Sequence, residues 1–113
     1  MTILVTGGCG FIGSHFVLDW LSNAGEEVWN IDSLTYAADR TICDIPDKPY
    51  IFVKGTICDI GVIREALTAS QPRAIIHFAA ETHVDQSITN PANFIKTNVL
   101  GTYSLLQASL DYW

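Results

Sequence analysis

The stretch ILVTGGCGFIG, residues 3–13, decides the fold expected of this chain. A short apolar run leads into a glycine-rich turn, and an amphipathic stretch from Phe11 to Leu21 follows. This order predicts a strand, a turn and a helix whose N-terminal N–H groups can receive a pyrophosphate. We therefore predict that Gly7, Gly10 and Gly13 bind a dinucleotide. The alternative is a structural βαβ unit whose glycines only turn the chain.

An acidic residue follows the second apolar run. Asp32 comes directly after the run that ends at Ile31. A carboxylate at the end of the second strand can bind the adenosine ribose hydroxyls and repels a 2′-phosphate. The sequence therefore predicts NAD rather than NADP.

Apolar runs alternate with helical patterns along the chain. They predict strands at 3–6, 27–31, 51–53 and 74–78. Helices are expected at 11–22, after an Asp59 cap, and from an Asn90-Pro91 start to about residue 112. With right-handed crossovers, this predicts an α/β fold with a Rossmann-like parallel sheet of order 3-2-1-4 and helices on both faces. A ligand is expected at the carboxyl ends, between the first and fourth strands.

The last helix has two adjacent apolar faces, about twice the width that a one-sided surface helix needs. One face includes Ile95, Val99, Leu106 and Leu110, and the other includes Leu105. One of them can cover the sheet. The other predicts a partner, either a second subunit in a homo-oligomer through the helix 91–112 or chain outside residues 1–113. The alternative is deeper burial within one domain.

Composition bounds the class of protein. The 113 residues are 49% hydrophobic and carry a net charge of −6, which fits one globular domain and argues against nucleic-acid binding. Neither a signal peptide nor a membrane-spanning run is visible. The three cysteines show no paired pattern, which favours free thiols and a cytoplasmic location. His83 and Asp85 in one segment are too few for a zinc site, so no metal is expected.

Four segments together resemble a known family. They are the glycine turn, DSLTYA at residues 32–37, FAAETHVDQSI at 78–88 and FIKTNVLGTY at 94–103. The chain resembles the N-terminal part of the dTDP-glucose 4,6-dehydratases, a branch of the extended short-chain dehydrogenase/reductases in the NAD-dependent epimerase/dehydratase family. The resemblance implies that residues 1–113 are the NAD-binding part of a Rossmann domain.

The resemblance also implies individual cofactor contacts. Residues after the glycine turn would place backbone at the pyrophosphate, and those after the second strand would line the ribose. Others would lie near adenine and the nicotinamide ribose, and Thr82 would also touch the sugar substrate. The implied residues are Phe11, Ile12, Asp32, Ser33, Leu34, Thr35, Thr56, Ile57, Phe78, Ala79, Ala80, Glu81, Thr82 and Thr97. Thr56 stands where the family usually has aspartate, so an acceptor for the adenine amino group is lost.

The family's activity is the NAD-dependent dehydration of a nucleotide sugar, dTDP-glucose, to its 4-keto-6-deoxy form. Its Tyr-x-x-x-Lys helix and Asp-Glu pair lie beyond Trp113, so we expect no catalytic residue here and no activity from this stretch alone. Tyr50 to Lys54 spells Tyr-x-x-x-Lys, but in a predicted strand, where the two side chains are about 13 Å apart.

Three other interpretations remain open at this stage. The chain could be a module that binds NAD or pairs with another subunit without catalysis. It could be a relative of the sugar-nucleotide epimerases. It could also be a non-functional remnant of a longer gene.

Overall fold

The computed structural model describes residues 1–34, 45, 47–79, 92 and 95–113. Strands and helices alternate in it, as the sequence predicts. They are β1 (Thr2–Thr6), α1 (Phe11–Asn23), β2 (Glu27–Asp32), β3 (Tyr50–Lys54), α2 (Ile60–Ser70), β4 (Ala74–His77), a π-helical segment (Lys96–Gly101) and α3 (Thr102–Tyr112). The predicted strand ends shift by only one residue.

The strands form one parallel sheet of order β3-β2-β1-β4, which confirms the predicted order. Ile3 of β1 pairs with Val28 of β2 on one side and with Ala74 of β4 on the other. Because all four strands are parallel, their carboxyl ends lie along one edge of the sheet.

Alternating side chains of the strands form two cores, one on each face of the sheet. On the first face, Val17 and Leu21 of α1 pack against Ile3, Val5 and Val28. On the second face, α2 and α3 cover the sheet, with the buried residues Leu4, Ile31, Ile57, Ile63, Ala66, Leu67, Leu105 and Ala108. The expectation of helices on both faces is therefore confirmed.

The two first helices begin in different ways. The Asp59 side chain accepts hydrogen bonds from the backbone of Gly61 and Val62 and caps α2, as predicted. The residue before α1 is Gly10, and no side chain caps that helix. The N-terminal N–H groups of α1 are therefore left without a capping side chain, in contrast to those of α2.

The last helix differs from the uniform α-helix that the sequence predicts. Its first described turns, Lys96–Gly101, are π-helical, and regular α-helix begins at Thr102. Apolar spacing cannot separate the two forms over six residues. The predicted start at Asn90-Pro91 lies outside the described residues.

The two faces of α3 have different surroundings. Leu105 and Ala108 are buried against α2 and the sheet, whereas Leu106 and Leu110 are exposed. The prediction that one apolar face covers the sheet is confirmed, and the second face is open in this chain. None of the helices in the described ranges is long and apolar enough to cross a membrane.

Candidate functional site

The glycine turn leaves β1 at the edge where the strands end. Gly7 has a φ of 71°, a left-handed conformation that glycine adopts without strain. Its N–H donates to the Ile31 carbonyl oxygen at 2.8 Å. A Cβ at Gly7 would lie 2.5 Å from the Ala79 backbone nitrogen, so the turn also touches the chain after β4. Both the conformation and the close approach require glycine here.

The other two predicted glycines have unlike surroundings. A Cβ at Gly13 would overlap the Gly7 carbonyl oxygen, so Gly13 lets α1 pack closely against the turn. A Cβ at Gly10 would meet only that same oxygen, at an ordinary 3.4 Å, and the φ of Gly10 is −74°. Nothing in the described chain therefore requires glycine at position 10.

Asn30 holds the turn from inside the sheet. Its buried side chain accepts a hydrogen bond from the Gly8 N–H at 2.8 Å. Its amide group donates to the Tyr50 hydroxyl at 3.0 Å and to the Cys9 sulfur at 3.5 Å. The sequence analysis missed this residue. The available signal was a polar residue inside an apolar strand, two positions before Asp32 and hence on the same face.

Asp32 also contacts the turn directly. One carboxylate oxygen accepts from the Cys9 N–H at 2.9 Å, and the other accepts from the Leu34 N–H at 2.7 Å. The residue is only 9% exposed. Because each carboxylate oxygen has two lone pairs, both retain a free acceptor direction after these bonds. Ser33, next along the chain, is exposed at the same edge.

The start of α1 presents apolar side chains to solvent. Phe11 is 80% exposed and Ile12 is 67% exposed. The first turn carries no acidic residue. The positive end of the helix dipole is therefore open and is not neutralised within the helix.

The end of β4 closes the site on its other side. The Phe78 N–H donates to the Thr6 carbonyl oxygen at 2.8 Å, and the Ala79 N–H donates to the Thr6 hydroxyl at 3.3 Å. The Phe78 ring packs against Phe16 of α1, with the ring centroids 5.5 Å apart. The turn, α1 and the end of β4 thus form one contiguous group.

Two residues that follow β3, Thr56 and Ile57, were expected to lie near the adenine. Ile57 as a whole is only 3% exposed, and its side chain lies in the core beneath α3. The Thr56 hydroxyl accepts from the Cys58 N–H at 3.1 Å and so stabilises its own turn.

The structure brings most of the predicted site residues to one edge of the sheet. The glycine turn contacts Asp32 on one side and approaches the Ala79 backbone on the other. Thr97 lies in the π-helical segment, where it is half-buried. Thr35, Ala80, Glu81 and Thr82 lie outside the described residues.

Two other kinds of site were considered from the sequence, a catalytic Tyr-x-x-x-Lys pair and a metal site. Tyr50 and Lys54 open and close β3, so this Tyr-x-x-x-Lys is a strand, as predicted, and the Tyr50 hydroxyl bonds to Asn30. Among the described residues, no group of three or more His, Cys, Asp or Glu side chains is arranged to hold a metal ion. His83 and Asp85 lie outside those residues.

A family assignment agrees with this arrangement. Residues 4–113 match the family model described as GDP-mannose 4,6 dehydratase. The chain belongs to this family. The chain is 49% identical to dTDP-glucose 4,6-dehydratase 1 of Escherichia coli K12 over 115 aligned residues. The alignment covers 100% of this chain and 32% of that relative, so the chain spans about a third of its length. The resemblance recognised in the sequence is confirmed.

Solved structures give the same result. A dTDP-glucose 4,6-dehydratase from Streptomyces venezuelae, with NAD bound, superposes with a TM-score of 0.90 at 46% identity. That match covers 99% of this chain and 36% of the other. A UDP-glucose 4-epimerase from Thermus thermophilus, in complex with NAD, gives 0.86 at 34% identity, over 99% of this chain and 34% of the other.

Proposed function

We propose that residues 1–113 form the NAD-binding part of a Rossmann domain in a dTDP-glucose 4,6-dehydratase-like protein. The observation that carries the proposal is the space at Gly10. Neither its φ nor any described neighbour requires glycine there, whereas a pyrophosphate against the backbone would. NAD-bound relatives at 46% and 34% identity support the same conclusion.

The residues present fit a dinucleotide in three ways. The uncapped start of α1 offers the N–H groups of Phe11 and Ile12 and a positive dipole end to the pyrophosphate, beside Gly10, whose own N–H donates to the Gly7 carbonyl oxygen at 3.2 Å. The free lone pairs of Asp32 can accept from the adenosine ribose hydroxyls, with Ser33 and Leu34 beside them. When bound, NAD supplies a hydride acceptor. The other cofactor contacts proposed from the family are Thr35, Thr56, Ile57, Phe78 to Thr82, and Thr97.

The activity proposed for the complete protein is the dehydration of dTDP-glucose to the 4-keto-6-deoxy sugar, with Thr82 as a substrate contact. No catalytic residue is assigned within residues 1–113. The 113-residue chain is therefore expected to bind cofactor without turnover, and a cytoplasmic location is proposed with it. Measurable conversion of dTDP-glucose by this chain would contradict the assignment.

Cofactor choice gives the sharpest test of the binding site. Calorimetry with NAD and with NADP should show NAD binding at least about tenfold tighter, because the Asp32 carboxylate repels a 2′-phosphate. Asp32→Asn should narrow that ratio. Asp19→Asn, which removes an exposed carboxylate on α1, should leave it unchanged. No heat with either nucleotide would reject the proposal, and equal affinity for both would reject the role of Asp32.

A second candidate function rests on the open face of α3. Leu106 and Leu110 are exposed there, with Ile95 and Val99 exposed on the preceding turns. Such a face favours a subunit-pairing role through the helix 91–112, as a homo-oligomer. Light scattering that detects only monomer over a wide concentration range would exclude self-pairing, and calorimetry with NAD distinguishes it from cofactor binding.

A further inference from the structure

His77 connects two parts of the molecule that the backbone does not join. It is the last residue of β4, and both of its ring nitrogens lie within hydrogen-bond distance of a threonine hydroxyl. Nδ1 lies 2.6 Å from the Thr6 hydroxyl at the end of β1. Nε2 lies 3.1 Å from the Thr102 hydroxyl at the first residue of α3. The imidazole thus spans from the strand before the glycine turn to the last helix.

The surrounding bonds fix the direction of this chain of contacts. The Thr102 hydroxyl donates its single proton to the Asn98 carbonyl oxygen at 2.9 Å, so towards His77 it can only accept. Nε2 must therefore carry a proton, and in a neutral ring Nδ1 is then the acceptor. The Thr6 hydroxyl donates to Nδ1 while accepting from the Ala79 N–H. Each group in the chain has one consistent role.

The Thr102 end of this chain lies where the helix changes form. The Thr102 N–H donates to the Val99 carbonyl oxygen, and the Thr102 hydroxyl donates to the carbonyl oxygen of Asn98, one residue earlier. The π-helical segment is also contacted from the other side, since the Cys58 thiol donates to the Lys96 carbonyl oxygen at 3.3 Å. π-Helical turns are frequent at functional sites, and this one carries Thr97.

We propose that His77, as the neutral Nε2–H imidazole, is a positioning residue that fastens the π-helical segment to the carboxyl end of the sheet through its bond to Thr102, while the Thr6 hydroxyl orients the ring. It acts through Thr102 and Asn98 and sets where Thr97 lies relative to the glycine turn. The consequence for cofactor binding rests on the proposed function. The fastening itself does not, because it is a property of the chain without NAD.

Two substitutions at position 77 separate the two ring nitrogens. Asparagine can place an acceptor where Nδ1 lies but has no donor that reaches Thr102, whereas glutamine can place a donor where Nε2 lies. Thr102→Ala removes the acceptor at the other end, and Thr102→Ser keeps it. Ser109→Ala is the matched control, since Ser109 makes the same hydroxyl-to-carbonyl bond within α3, to Leu105 at 2.7 Å.

The experiment measures amide hydrogen exchange of residues 97–102, the protonated ring nitrogen by NMR, and NAD affinity by calorimetry, on the 113-residue chain. His77→Asn and Thr102→Ala should speed exchange about fivefold and weaken NAD binding by a similar factor, as expected for one lost hydrogen bond. His77→Gln and Thr102→Ser should stay within about twofold of wild type. Ser109→Ala should leave exchange at 97–102 unchanged.

Several results would overturn the proposal. They are a proton on Nδ1 instead of Nε2, unchanged exchange in Thr102→Ala, or an equal effect of Ser109→Ala. Failure of the wild type to bind NAD would defeat the proposed function, while the exchange and NMR results would still decide the role of His77. If the variants with faster exchange bind NAD as tightly as wild type, the positioning role fails and the proposed function stands.

Discussion

The inner and outer sides of the glycine turn, residues 7–10, differ in what contacts them. On the inner side, the Gly8 and Cys9 N–H groups donate to the buried side chains of Asn30 and Asp32. On the outer side, a Cβ at Gly10 would meet only the Gly7 carbonyl oxygen among the described residues, at an ordinary 3.4 Å, and α1 begins without a capping side chain. The chain itself therefore holds the turn in shape, while the donors that face outward are left for something else.

This difference teaches how a phosphate site can be prepared before its ligand arrives. The inner contacts fix the backbone of the turn. They are made by buried polar side chains, which are stable in the interior only when they are hydrogen-bonded. On the outer side, no side chain caps the N–H groups at the start of α1. Substitutions on the inner side should therefore act on the free energy of unfolding, with Asp32 also setting the choice of cofactor, and substitutions on the outer side should act on NAD affinity.

Gly7→Ala should have the largest effect on the inner side. The φ of 71° strains any residue with a side chain, and the new Cβ would collide with the Ala79 backbone. The two costs together should lower the free energy of unfolding by about 3 kcal/mol or more. Urea denaturation measures it. Gly25→Ala is the control, because Gly25 has a similar φ of 69° but nothing within 4 Å of its Cβ position. Equal losses in the two variants would show that the contact with Ala79 contributes nothing.

Asn30→Leu should have the second-largest effect on the free energy of unfolding. It leaves the buried Gly8 N–H without its acceptor and removes the bond to the Tyr50 hydroxyl. The free energy of unfolding should fall by about 2–3 kcal/mol. Asn23→Leu, at an exposed position near the end of α1, should change it by less than about 0.5 kcal/mol. A loss below that value for Asn30→Leu would break the comparison, because the inner side would then not depend on its side chains.

A smaller effect is expected from the protonation of His77. Partial burial lowers the pKa of His77 below its usual 6.5. The unfolded chain therefore takes up this proton first, and the free energy of unfolding should fall as the pH drops below about 6.5. Above that pH the contribution of His77 is fully present. The free energy of unfolding, measured by denaturation from pH 7.5 to 5.5, should depend less steeply on pH in His77→Gln than in wild type. Parallel curves for the two proteins would contradict the assignment of this proton uptake to His77.

The smallest effect is expected far from the turn. Arg64 of α2 and Asp111 of α3 form an ion pair at 2.9 Å, with both side chains about half exposed. Because solvent screens such pairs, Arg64→Ala should change the free energy of unfolding by less than about 1 kcal/mol. NAD affinity should not change. A large effect of Arg64→Ala on the free energy of unfolding or on NAD affinity would contradict this expectation.

Much of the fold could be predicted from the sequence because its signals are local. Apolar runs predicted the strands, right-handed crossovers predicted their order, and Asp59 predicted the start of α2. The part of the site that depends on register was missed. Asn30 reaches Gly8 only because β1 and β2 pair as they do, and no local pattern encodes that contact.

The remaining differences have the same origin. Ile57 follows a strand near the predicted adenine position, yet its side chain is buried because Gly101 of the last helix leaves room against it. The π-helical form of Lys96–Gly101 is accompanied by contacts with Cys58 and Thr102. Such contacts join residues far apart in the chain or depend on side-chain rotation, and apolar periodicity reports neither.

The comparison is tested most directly by Gly10→Ala on the outer side. The new methyl group meets the chain only at an ordinary contact distance, so the free energy of unfolding should fall by about 1 kcal/mol or less, the cost of alanine at a helix start. NAD binding, measured by calorimetry on the same folded sample, should weaken at least about tenfold because the methyl group occupies the proposed pyrophosphate position. Unchanged NAD affinity in a folded Gly10→Ala protein would contradict the account.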